Sequence, residues 1–61
     1  MTKANARKLR PGDQVYWNDP DNDACSRYYT IATIEVDMHS GMVKISEKDG
    51  SYLECWAREL S

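Results

Sequence analysis

Ile34-Glu35-Val36-Asp37-Met38-His39-Ser40-Gly41-Met42-Val43-Lys44-Ile45-Ser46-Glu47-Lys48-Asp49-Gly50-Ser51-Tyr52-Leu53-Glu54-Cys55-Trp56 carries three apolar–polar alternations separated by two turn signals. Alternation with period two marks half-buried strands, so the register of these strands decides the fold. A two-residue Asp49-Gly50 hairpin would set Ile45 against Glu54 and break the pattern. A three-residue loop, Lys48-Asp49-Gly50 with Gly50 in the left-handed bulge position, pairs Ile45 with Leu53 and Val43 with Cys55. By the same test a four-residue loop, Met38-His39-Ser40-Gly41, pairs Val36 with Val43 and Ile34 with Ile45. Both choices put Ile34, Val36, Val43, Ile45, Leu53 and Cys55 on one inner face. They also place Lys44 between Glu35 and Glu54 on the outer face, where opposite charges across strands add roughly 0.2–1 kcal/mol per pair. Met42 and Trp56 pair beside that ladder.

Upstream, Tyr28-Tyr29-Thr30-Ile31-Ala32-Thr33-Ile34-Glu35-Val36-Asp37 reads as strand with a phase slip, because Ile31 has the opposite parity to Ile34 and Val36. A bulge near Ala32-Thr33 brings all three inward and bends the strand from one sheet to another. Earlier still, Pro11-Gly12 is a turn dipeptide, and Val15 and Trp17 share a face of the strand that follows. Residues 18–27 form a polar loop with Asp19, Asp21 and Asp23, long enough in so small a chain to invite a functional reading. At the other end, Ala57-Arg58-Glu59-Leu60 reads as a short turn and a last brief strand, with Leu60 closing the interior. The fold class is therefore all-β: a small barrel of four to five antiparallel strands over residues 10–61. Residues 1–9 lack an apolar stripe and read as a flexible basic N-terminal arm.

Sixty-one residues make one small domain, with little core to spare for a buried active site. Charged residues at 30% and hydrophobic ones at 41% fit a folded chain rather than a disordered one. The net charge of -2 hides an asymmetry. Lys3, Arg7, Lys8 and Arg10 face no acid in the first ten residues, whereas the remainder is strongly acidic. Such an arm suits nucleic acid, an anionic lipid or an acidic protein, or serves only as a solvated tail. With no signal-like segment or long apolar run, the expected location is cytoplasmic, with no membrane and with reduced thiols. His39, Cys25 and Cys55 fall one ligand short of a closed zinc site, so no metal and no cofactor is expected.

The pattern Gly12-Asp13-x-Val15-x-Trp17, the bent strand over residues 28–37 and the closing Glu59-Leu60 resemble Src-homology-3-like (SH3-like) barrels, with Tudor and KOW domains nearest in style. Residues 9–61 are also similar to a family of short uncharacterised bacterial and phage proteins. The matching segments are Gly12-Asp13-x-Val15-x-Trp17-Asn18-Asp19-Pro20-Asp21, Cys25-Ser26-x-Tyr28, Gly50-Ser51 and Glu59-Leu60-Ser61. That likeness implies the barrel and no activity. Type II dihydrofolate reductases share a similar barrel, but their active pore depends on a Val-Gln-Ile-Tyr run. Here Tyr52-Leu53-Glu54-Cys55 stands in its place, so that activity is not carried over.

Asp19-x-Asp21-x-Asp23 has the opening spacing of a calcium loop. Ala24 and Thr30 stand where that loop needs Gly and Glu, so solvated turn acids are the better reading. Six aromatic residues, all Tyr or Trp, suggest half-buried rings with polar tips. Trp17, Tyr28 and Tyr29 flank the acidic loop and with Asp19 and Asp21 would hold a cationic side chain, the plain alternative being a core Trp and rim tyrosines. Met42, Tyr52 and Trp56 form a second candidate patch. His39 has no partner at a defined spacing, and nothing supports catalysis. The expected function is a non-enzymatic module for a protein or peptide partner. The alternatives are a nucleic-acid-binding barrel using the basic arm, and a homodimer through the Met42–Trp56 patch or an open sheet edge.

Overall fold

The computed structural model describes residues 1–21 and 25–61. Its elements are α1 (Lys3–Arg7), β1 (Gln14–Trp17), β2 (Arg27–Thr30), β3 (Thr33–Val36), β4 (Met42–Ser46), β5 (Tyr52–Trp56) and a 3-10 turn (Ala57–Glu59). The strands make two antiparallel sheets, β1-β2 and β3-β4-β5. The second sheet has the register that parity demands: Ile34 opposite Ile45, Val36 opposite Val43, Val43 opposite Cys55 and Ile45 opposite Leu53. Lys44 lies between Glu35 and Glu54, and Met42 faces Trp56. Val43, Ile45, Leu53 and Cys55 are buried, with Ile34 and Val36 packed at the margin of the same core.

Turn chemistry fixes these registers. Gly50 has φ +92°, its N–H donates to Glu47 C=O (3.1 Å), and Glu47 N–H donates to Ser51 C=O (2.9 Å), which closes the three-residue loop. In both hairpin turns an aspartate caps the backbone. Asp37 accepts from the N–H of His39 (2.9 Å) and Asp49 from that of Ser51 (2.9 Å). Those bonds hold both carboxyls below their usual range. Pro11-Gly12 turns the chain into β1, with Gly12 at φ +97° and Asp13 N–H donating to Arg10 C=O (3.0 Å).

The long strand expected over residues 28–37 breaks where its parity slips. Ile31 N–H donates to Asp13 C=O (2.9 Å) in the first sheet, and the next residue, Ala32, donates to Ser46 C=O (2.7 Å) in the second. One dipeptide thus passes the chain between sheets while keeping Ile31 buried. Residues 59–61 run along the other side of β1: Tyr16 and Ser61 exchange backbone hydrogen bonds, and Trp17 bridges to Leu60. Leu60 is buried in the core.

The flexible arm is a correction. α1 packs against β3 and the 3-10 turn, with Ala6 fully buried and Leu9 against the core. Thr2 caps the helix by accepting from Asn5 N–H (3.1 Å), and the Met1 amino group donates to the carbonyls of Ala57 (3.1 Å) and Leu60. A single alanine is no apolar stripe, but a single alanine lets a helix backbone lie directly on a core.

Candidate functional site

Val15 and Trp17 point to the interior side of β1, and across the ladder lie Tyr29 and Arg27. Tyr29 is buried and meets Trp17 edge to face at 6.3 Å. The Arg27 guanidinium lies over the Tyr29 ring, 3.7 Å from its centroid. It is held there by Glu47 (2.7 Å) and by the Tyr28 carbonyl (2.9 Å). The second Glu47 oxygen accepts from Thr30 N–H (3.0 Å). The hydrogen bond from Arg27, and after it that from Thr30, hold the Glu47 carboxyl below its ordinary value. The cation on Tyr29 is thus the chain's own Arg27, paired with Glu47 rather than with the loop aspartates. Arg27 belongs to β2 and not to the preceding loop.

The loop aspartates are engaged locally. Asp19 accepts from Asp21 N–H (2.9 Å) in an Asx turn, and Asp19 N–H donates to Ser26 Oγ (2.8 Å). Asp19 is half-buried and Asp21 exposed, while Asp23 lies outside the described residues, and with it the calcium-loop spacing. Trp17 Nε1 is buried with no hydrogen-bond partner among the described residues. Tyr28 points to the other side of the sheet, exposed and edge-on to Tyr16 at 4.9 Å. The five loop candidates are therefore split: Trp17 and Tyr29 share one corner, Asp19 and Asp21 a turn, and Tyr28 the opposite face.

Of the second patch, Met42 and Trp56 are adjacent, while Tyr52 stands at the other end of β5. On the outer face of β3-β4-β5, Met42 and Trp56 pair directly and Tyr52 stands two positions further along from Glu54. Glu35, Val36, Asp37, Ser40, Met42, Lys44, Glu54 and Trp56 line one open depression of this face. Three carboxylates against one lysine make it acidic. Tyr52 donates to Glu54 (3.2 Å), and partial desolvation together with that bond keeps its phenol above the usual range. Arg58 reaches over the Trp56 ring, 5.3 Å from its centroid.

A basic groove that the sequence reading missed lies at α1. Ala4, Arg7, Lys8, Arg10 and the exposed Met38 line it, so the N-terminal charges are presented from a docked helix. Among the described residues no group of three or more His, Cys, Asp or Glu side chains converges on a metal position. Nor is any helix among them long and apolar enough to cross a membrane. No family model, curated protein or solved structure matches the chain.

Proposed function

We propose that the chain is a non-enzymatic SH3-like barrel module that binds a protein or peptide segment bearing cationic and apolar side chains. The binding surface in this reading is the outer face of β3-β4-β5, centred on Trp56. What supports the barrel is the Ile31-Ala32 dipeptide, which hydrogen-bonds to both sheets, together with residues 59–61 running alongside β1. What carries the binding reading is the depression in which Glu35, Asp37 and Glu54, against a single Lys44, share the lining with Met42 and Trp56. An indole flanked by carboxylates offers an apolar contact and charge partners to one arginine- or lysine-bearing segment. The loop corner at Trp17 and Tyr29 is the weaker candidate, because Arg27 lies 3.7 Å from the Tyr29 centroid and is tied to Glu47, whereas Arg58 lies farther from the Trp56 centroid, at 5.3 Å. Support for a non-catalytic role includes the Cys55 thiol, which burial pushes up to about 12, far from a useful nucleophile at neutral pH.

Selection of a displayed random-peptide library on the immobilised protein tests this. The expected yield is peptides rich in Arg or Lys with one large apolar residue, whose binding drops at least about ten-fold on Trp56→Ala. Peptides without basic residues, or peptides that bind Trp56→Ala as well as wild type, would falsify the assignment. A second reading, nucleic-acid binding, is favoured by the groove of Arg7, Lys8 and Arg10.

A further inference from the structure

Two surfaces of the chain are opposite in charge, and each holds an accessible apolar side chain. The depression on β3-β4-β5 sets Glu35, Asp37 and Glu54, against the single Lys44, beside Met42 and Trp56. The groove at α1 sets Arg7, Lys8 and Arg10 beside Met38, which is 42% exposed. The groove therefore carries the cationic and apolar groups that the depression suits. The two surfaces also adjoin: Asp37 lines one and the next residue, Met38, lines the other, so the β3-β4 turn runs between them. Within one copy their opposite charges do not meet. Among the described residues the salt bridge is Arg27–Glu47, and neither surface contributes to it.

We propose that the partner of the Trp56 face is the α1 groove of a second copy of this chain, the two copies being related by a two-fold axis. The proposal rests on the binding reading of that face given above. Adjacency decides the symmetry. A two-fold running along the β3-β4 turn lays the groove of each copy on the depression of the other, so one patch serves both copies and every contact forms twice. The assembly closes at two copies, with Arg7, Lys8 and Arg10 of one facing the carboxylates of the other. Met38 of each copy meets Met42 and Trp56 of its partner. That apolar contact supplies burial, since exposed ion pairs add little by themselves, while the matched potentials fix the partner and its orientation. A net charge of only -2 leaves little overall repulsion between copies to oppose the contact.

Sedimentation equilibrium at about 0.01 M salt, where charges act over about 30 Å, tests the proposal. The samples are wild type, Arg7→Glu/Arg10→Glu, Glu35→Arg/Glu54→Arg, and an equal mixture of the two variants. All four positions are exposed, so both variants are expected to keep the fold. Wild type is expected to dimerise. Each variant alone is expected to associate at least about ten-fold more weakly, because like charges then face each other. The mixture is expected to regain the wild-type strength, since each reversed surface meets its complement on the other variant. Should a reversal fail to fold, Glu35→Gln/Glu54→Gln is expected to show weakened association without the repulsion. A wild type that stays monomeric, a neutralised variant that dimerises as wild type does, or a mixture that associates no better than its components overturns the proposal. Basic peptides that still bind through Trp56 in that event would keep the reading of the face and assign its partner to another chain.

Discussion

Burial in the core of β4 and β5 raises the Cys55 thiol to about 12 from an ordinary value of 9.0, whereas Cys25 lies exposed. The thiolate is the reacting species, so Cys55 is shielded both by its burial and by its retained proton. A thiol reagent at pH 8 is expected to modify one cysteine of the native protein rapidly and the second only after denaturant is added. Two equivalents reacting at one rate would contradict the buried position of Cys55. The same shift has a sign in stability. Between about 9 and about 12 the unfolded chain gives up the Cys55 proton while the folded chain keeps it, so stability falls as pH rises through that window. Residue roles of this kind were partly legible in the sequence, since Cys55 shares the parity of Val43 and Ile45. The role of Arg27 was harder to see. Its separation of two from Tyr29 puts both on one strand face, but a lone cation beside a tyrosine has no periodicity to separate it from loop charge.

Hairpin register is an element-scale property, and here it rests on glycines. Gly50 at φ +92° occupies a region that costs other L-residues roughly 1–2 kcal/mol. No atom lies within 4 Å of where its Cβ would stand, so Gly50→Ala isolates the backbone term. The expected loss is about 1–2 kcal/mol, or a fall in Tm of roughly 4–16 °C for a domain of this size. Gly41 at φ +86° carries the same backbone term, and a Cβ there would sit in ordinary contact, 3.4 Å, with the flexible Lys3 side chain. Gly41→Ala is therefore expected to lose about as much as Gly50→Ala, roughly 1–2 kcal/mol. Thermal denaturation of the two variants side by side checks both statements, and a much larger loss at Gly41 would show that the contact with α1 is disturbed as well. The turns and register could be read in advance because a slip of one residue turns every side chain of a strand to the wrong face. The docking of α1 could not, because it depends on Ala6 and on the caps at Thr2 and Met1 rather than on repeated apolar spacing.

Over the whole molecule the charges are sorted into two territories. Lys3, Arg7, Lys8 and Arg10 gather on and just after α1, and the outer face of β3-β4-β5 carries Glu35, Asp37 and Glu54. Docking of α1 changes what this asymmetry can do. A mobile arm could follow a phosphate backbone away from the acidic body, whereas a packed helix holds its cations within reach of that body's repulsion. Electrophoretic retardation of a short DNA duplex measures the balance. Four cations neutralise at most about four phosphates, so the logarithm of affinity should fall with that of salt at a slope no steeper than about −3.6. Retardation is expected only at low salt, and reversal of charge at Arg7 and Arg10 should abolish it. A steeper slope would require cations beyond these four. No shift even at low salt would remove the nucleic-acid reading and leave the basic groove to an acidic protein or to solvent.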